Sequence, residues 1–165
     1  MGAVRALAAQ GQLPLPPPMP AAAAQLLGQA HRGLAEAAAE PQANWRYAGA
    51  HLAALRGAAA VLAARTRPEP ARRRPRSAWV LITEVAPELG EWAVFFAANA
   101  PKRAAAEAGL SSAVTDREAD DLVRDVGAFL TAVETTVSRP APAPAAPVRL
   151  RSMDGGKRRP SGRTP

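Results

Sequence analysis

Three groups of side chains in this 165-residue chain combine residue type and spacing in a way that chemistry could use. Arg46 and His51 stand in WRYAGAH with four residues between them. Asp116, Glu118, Asp120 and Asp121 crowd four carboxylates into the stretch after Thr115. Arg72, Arg73, Arg74 and Arg76 form a dense positive run among prolines. Carboxylates in such a cluster are the raw material of a magnesium or calcium site. Here helix capping accounts for them: Thr115 and Glu118 have the spacing of a capping box, and acidic side chains favour the positive end of the helix dipole. The arginines could pair with phosphates in a salt-dependent way, or serve as a solvated linker. His31 lies beside an apolar helix face with no complementary group one turn away, and reads as a surface or half-buried histidine. The chain has no cysteine, so it has neither disulfides nor thiolate ligands, and two histidines alone make no zinc site. No metal and no cofactor is expected.

The elements that must position these groups are helices. Trp45 to Arg65 reads as one long amphipathic helix, with Trp45, Ala48, Leu52, Leu55, Ala59 and Leu62 spaced by threes and fours on a single stripe. On that reading the stripe faces the core, Arg46 points nearly opposite, and His51 lies on the flank. The two side chains then sit about 140° apart around the helix axis. Before it, Ala21 to Glu40 places Leu26, Leu27, Ala30, Leu34 and Ala37 on one face, and Pro41 stops the helix. The short link offers Asn44 as an N-cap, and so short a connection predicts an antiparallel hairpin. Ser77 caps a helix that Pro87 kinks or restarts, and Leu81, Val85, Leu89, Trp92, Phe95 and Phe96 supply core bulk. Pro101 is expected to end that segment, with a short helix after it closed by Gly109. The last helix opens at the Thr115 capping box and carries Ala119, Leu122, Val126, Phe129 and Val133 as a second core stripe.

Charge separates body from appendages. The chain is +7 overall, but Arg139 to the end carries +6 and Arg65 to Arg76 carries +5, which leaves the rest at −4. A structured basic face is therefore not expected. Residues 1–20 end in LPLPPPMP and read as a disordered arm; residues 139–165 have no apolar period and read as a disordered basic tail. The domain is expected over 21–138, with the basic loop at 66–76. The N-terminal stretch is a poor secretory signal, and no uninterrupted apolar run approaches the roughly 18 residues that span a bilayer. The expectation is a cytoplasmic protein with no membrane contact.

Three stretches together carry a resemblance: AAQLLGQAHRGLAEAA, RYAGAHLAALRGAAAVLAAR, and SAWVLITEVAPELGEWAVFFAA followed by READDLVRDVGAFLTAVE. Over roughly residues 22–137 the chain resembles the HEPN superfamily of small helical domains, and within it an actinobacterial family of short HEPN proteins. The resemblance implies an all-α bundle of four to five helices that often dimerises. Many such domains are metal-independent ribonucleases using an Arg and a His four to six residues apart; others bind RNA, nucleotides or protein partners. Arg46 and His51 match that spacing. The resemblance then implies that His51 moves a proton at the 2′-hydroxyl or the leaving oxygen while Arg46 stabilises phosphate charge. Three readings stand: an RNA- or nucleotide-binding module with little or no catalysis, for which the resemblance implies a homodimer; a ribonuclease using Arg46 and His51; and a helical protein-interaction module.

Overall fold

The computed structural model describes residues 18–66 and 76–139. The expectations for the proline arm, for Arg72, Arg73 and Arg74 of the basic loop, and for the tail beyond Arg139 lie outside these residues. Within them the chain is all helical: α1 (Ala21–Ala38), α2 (Ala43–Arg65), α3 (Ala78–Val85), a 3₁₀ turn at Pro87–Leu89, α4 (Gly90–Glu107) and α5 (Asp116–Ser138). α2 is the central element and packs on α1, α3, α4 and α5. α1 and α2 form the expected antiparallel hairpin. α5 runs in the same direction as α2, since Arg46 pairs with Asp116 at one end and Arg65 donates to the Thr136 carbonyl at the other.

Local signals set most boundaries. Ser77 Oγ accepts from the Trp79 amide and starts α3. Pro87 cannot continue that helix, so the chain takes one 3₁₀ turn and restarts at Gly90. At the end of α4 the Gly109 amide donates to the Ala106 carbonyl and the Leu110 amide to Ala105, with Gly109 at φ 69°, the backbone that a residue without Cβ adopts freely. The Thr115–Glu118 capping box forms in both directions.

Two boundary expectations are corrected. Pro101 does not end a helix; it sits inside continuous α4. Its missing amide frees the carbonyl of Ala97, but Ala97 and Pro101 both lie on the exposed side, where water takes that carbonyl and the break costs little. Asn44 is not the cap of α2. That helix begins two residues before Trp45 with no side-chain cap, and the Asn44 amide instead donates to the Leu110 carbonyl at 3.1 Å, fastening α2 to the α4–α5 connection.

The stripe assigned to α2 is also corrected. Trp45 is 50% and Leu52 44% exposed, while Leu55 and Leu62 lie at the margin of the core. Of the expected stripe Ala48 is buried; the rest of the buried face is Tyr47, Ala50, His51, Ala54, Ala58 and Val61, joined by Ala53, Gly57 and Ala60 against its other neighbours. A helix surrounded on most sides has room only for small side chains at its contacts, so its large ones move to the rim. Ala43–Arg65 is apolar and long enough to cross a membrane, but 56% of its apolar window is buried inside the bundle, the pattern of a central core helix. In α5, by contrast, Ala119, Leu122, Val126, Phe129 and Val133 are all buried as the spacing predicts.

The bulk filling the space beside α2 is aromatic. Trp79 stacks on Phe96 with ring centroids 4.8 Å apart, and Phe129 meets Phe96 edge-on at 5.0 Å. Ile82 rather than Leu81 is the fully buried aliphatic of α3. Gly57 marks the closest approach of α2 to α5: a Cβ there would lie 2.6 Å from Leu130 Cδ2 and 3.3 Å from Phe129 Cε1. Both neighbours are fully buried and have no free volume to enter. Gly57→Ala should therefore destabilise by about 1–3 kcal/mol in urea unfolding. Gly90→Ala, where nothing lies within 4 Å, should be neutral or stabilising by up to about 1 kcal/mol.

Candidate functional site

Arg46 lies in the first turn of α2, yet its side chain does not point into water. The residue is 8% exposed. Its Nη1 donates to the carbonyls of Glu40 at 2.7 Å and Pro41 at 3.0 Å, in the turn that closes α1. Its Nη2 donates to Asp116 Oδ1 at 2.6 Å, and Nε lies 2.9 Å from Asp120 Oδ1, an ion pair off the axis of the N–H bond. Two carbonyls that follow a helix C-terminus and two carboxylates at a helix N-terminus thus share one guanidinium. Its planar fork suits this, because its donors diverge in fixed directions. The expectation that Arg46 stands opposite the core is corrected: the N-termini of α2 and α5 lie side by side and enclose it.

His51 goes elsewhere. It is 1% exposed and meets Trp79 and Phe96 edge-on, with ring centroids at 6.1 and 5.7 Å. Nε2 lies 3.2 Å from the Phe96 carbonyl, which can only accept, so this nitrogen carries the proton. Nδ1 is buried with no partner among the described residues, which suits a bare nitrogen and not a cationic ring. Burial is the main cause that lowers the His51 pKa below its ordinary value; the Phe96 carbonyl opposes this and the charge of Arg103 adds to it. The flanking position expected for His51 is therefore corrected to a core position.

Arg46 and His51 thus occupy different surroundings, one a polar clasp at the end of the bundle and one an aromatic box. Clefts open on the surface elsewhere. Tyr47, Asn99 and Lys102 are among the residues lining one, and Trp45, Leu52 and Arg56 among those lining another. Neither Arg46 nor His51 lines either cleft.

The acidic cluster is spent on cations of the chain itself. Asp116 and Asp120 face Arg46, and Asp121 pairs with Arg124 at 2.6 Å. Glu118 closes the capping box and pairs with Lys102, and these bonds hold its carboxyl at about 2, far below the ordinary value. Arg76 is engaged by both oxygens of Glu84 in the adjoining α3. His31 bonds Glu134 of α5 at 2.7 Å, a partner more than a hundred positions along the chain. Sequence reasoning missed the clasp itself. Asp116 and Asp120, one helical turn apart on α5, gave no signal of it, because Arg117 and Arg124 stand at helical spacing from Asp120 on the same helix and offered it local partners.

A neutral buried histidine has a consequence for pH. Its pKa in the folded chain lies below the ordinary 6.5, so the unfolded chain binds the proton first. Stability from this group is complete above about 6.5 and falls as pH drops below it, by at most about 1.4 kcal/mol per pH unit. Urea unfolding between pH 7.5 and 5 should show this decline, and His51→Gln should flatten it. NMR should find the His51 ring titrating below the ordinary 6.5.

The sequence pattern of the SAV_6107-like HEPN family matches residues 37–134, the span that holds α2 to α5 and the clasp. Comparison with curated proteins and with solved structures gives no match. A match over well more than half of a chain whose described residues form an antiparallel helical hairpin packed on a third long helix is sufficient: the chain belongs to the SAV_6107-like HEPN family.

Proposed function

We propose that this HEPN domain is a cytoplasmic RNA-binding module that holds single-stranded RNA through phosphate contacts and does not cut it. The observation that supports binding is where the positive charge leaves the body. Arg65 ends α2 and donates to the Thr136 carbonyl near the end of α5, so the sequences beyond Thr66 and beyond Arg139 depart from the same pole. Those two stretches, counted from Arg65 and Arg139, carry +5 and +6 on a chain otherwise at −4. Clustered arginines of this kind, here Arg72, Arg73 and Arg74, gain affinity by displacing counterions from a phosphate backbone.

The placement of Arg46 and His51 supports binding without cleavage. A catalytic imidazole must reach the proton it moves, and a guanidinium that stabilises phosphate must have donors free. His51 is enclosed by rings, and the donors of Arg46 already serve four oxygens.

The test is the affinity of the full chain for a labelled single-stranded RNA across 50–200 mM salt, with the RNA recovered and sized after incubation in EDTA. The expected result is binding at low salt that weakens steeply with added salt, and intact RNA. Replacing Arg72, Arg73 and Arg74 together by Ser should reduce the slope of log K against log salt by about 2. No binding at low salt would remove the reading. Cleavage lost in Arg46→Lys with the helical content intact would replace it with the ribonuclease reading. A protein partner retained through nuclease and high salt would replace it with the helical-interaction reading.

A further inference from the structure

The cleft between α2, α4 and α5 has a volume of about 200 Å3 and is lined by Tyr47, Phe95, Asn99, Lys102, Asp125 and their neighbours Glu118, Asp121 and Leu122. Glu118, Asp121, Leu122 and Asp125 recur by threes and fours, so one face of α5 forms the acidic wall. Two of its three carboxylates are neutralised in place: Glu118 by Lys102, and Asp121 by Arg124 and Arg117. Asp125 has no ion pair and no hydrogen bond among the described residues; Arg124, beside it in the chain, already pairs with Asp121 and meets the Asp125 charge only at longer range.

An independent observation comes from the opposite wall. Tyr47 is 3% exposed, yet its hydroxyl has no hydrogen-bond partner among the described residues. The little exposure the residue keeps includes this oxygen, which opens on the cleft and is free to bond what enters it. Tyr47 lines the cleft together with Glu118, Asp121 and Asp125, and burial first and the charge of Glu118 second raise its pKa. Asn99 completes the set: its amide nitrogen is committed to the Phe95 carbonyl at 3.0 Å, which leaves its oxygen as an acceptor. The cleft thus presents an unpaired carboxylate, a phenol oxygen and an amide oxygen, with Phe95 and Leu122 as apolar surface beside them.

From this geometry we infer that the cleft binds a primary alkylammonium group. Three acceptors match the three N–H donors of an ammonium, Asp125 balances its charge, and the apolar walls cover a methylene chain, with the Phe95 ring available to the cation. The volume lies below the about 300–1,000 Å3 of sites that enclose whole drug-sized ligands, which suits a small amine or the end of a longer one. A phosphate is excluded by the same acidic wall, so this site is separate from the proposed RNA contact and stands or falls without it.

The test is calorimetric titration of the full chain at fixed ionic strength with putrescine and, in a second arm, with Nα-acetyl-lysine methylamide. Saturable one-to-one binding is expected, weakened at least tenfold by Asp125→Asn and several-fold by Tyr47→Phe, and unchanged by Glu36→Gln, which removes the same charge on α1. Saturation by putrescine alone assigns the site to a free amine; saturation by the lysine derivative assigns it to a protein side chain. Three results would overturn the inference: no saturable binding of either probe, equal binding of tetramethylammonium, which has no N–H to donate, or affinity untouched in Asp125→Asn when circular dichroism shows the fold intact.

Discussion

One guanidinium holds together the end of the bundle where α1 stops and where α2 and α5 begin. The carbonyls of Glu40 and Pro41 follow the C-terminus of α1, where backbone oxygens lack helical partners and the dipole is negative. Asp116 and Asp120 supply further negative charge from the first turn of α5. A cation is required at this point, and the guanidinium meets it with three hydrogen bonds and one further ion contact, directed by a rigid plane that an ammonium lacks. The absence of any side-chain cap on α2 fits the same constraint, because the turn before that helix is fixed from within by Arg46. The carboxylate partners are largely exposed, Asp116 at 81%, so the energy of the clasp lies mostly in the carbonyl bonds and the packed stem of Arg46.

With that end fixed, the rest of the packing follows from the central position of α2. Alanine and glycine on its faces let α1 and α5 come close, as at Gly49 against Ala37 and Gly57 against Leu130. The large side chains needed to fill the remaining volume come from α3, α4 and α5 as a cluster of rings. His51 joins that cluster as a flat, neutral ring whose one donor is satisfied by the backbone of α4. Arg46 and His51, five positions apart, are both tied into the scaffold.

Features written within one element or one turn could be read from the residues alone. The capping box at Thr115, the cap at Ser77, the restart at Pro87, the glycine stop at Gly109 and the core stripe of α5 are of this kind, because each depends on neighbours three or four positions away. The face of α2 was not legible, because ranking positions by side-chain size presumes a helix with one buried side. The clasp was not legible either, since its carboxylates sit seventy positions or more from Arg46 and only tertiary packing brings them together. Pro101 misled for a related reason: its penalty depends on which side of α4 it occupies, and that side is set by the aromatic cluster.

The claim on which this account rests is that Arg46 is bound by its own chain and is not held ready for a phosphate. Equilibrium urea unfolding of Arg46→Lys tests it most directly, since lysine keeps the charge and loses the fork. The account predicts a loss of about 1–3 kcal/mol, because carbonyls at the α1–α2 turn lose their donors. An unfolding curve identical to that of the parent chain would contradict it.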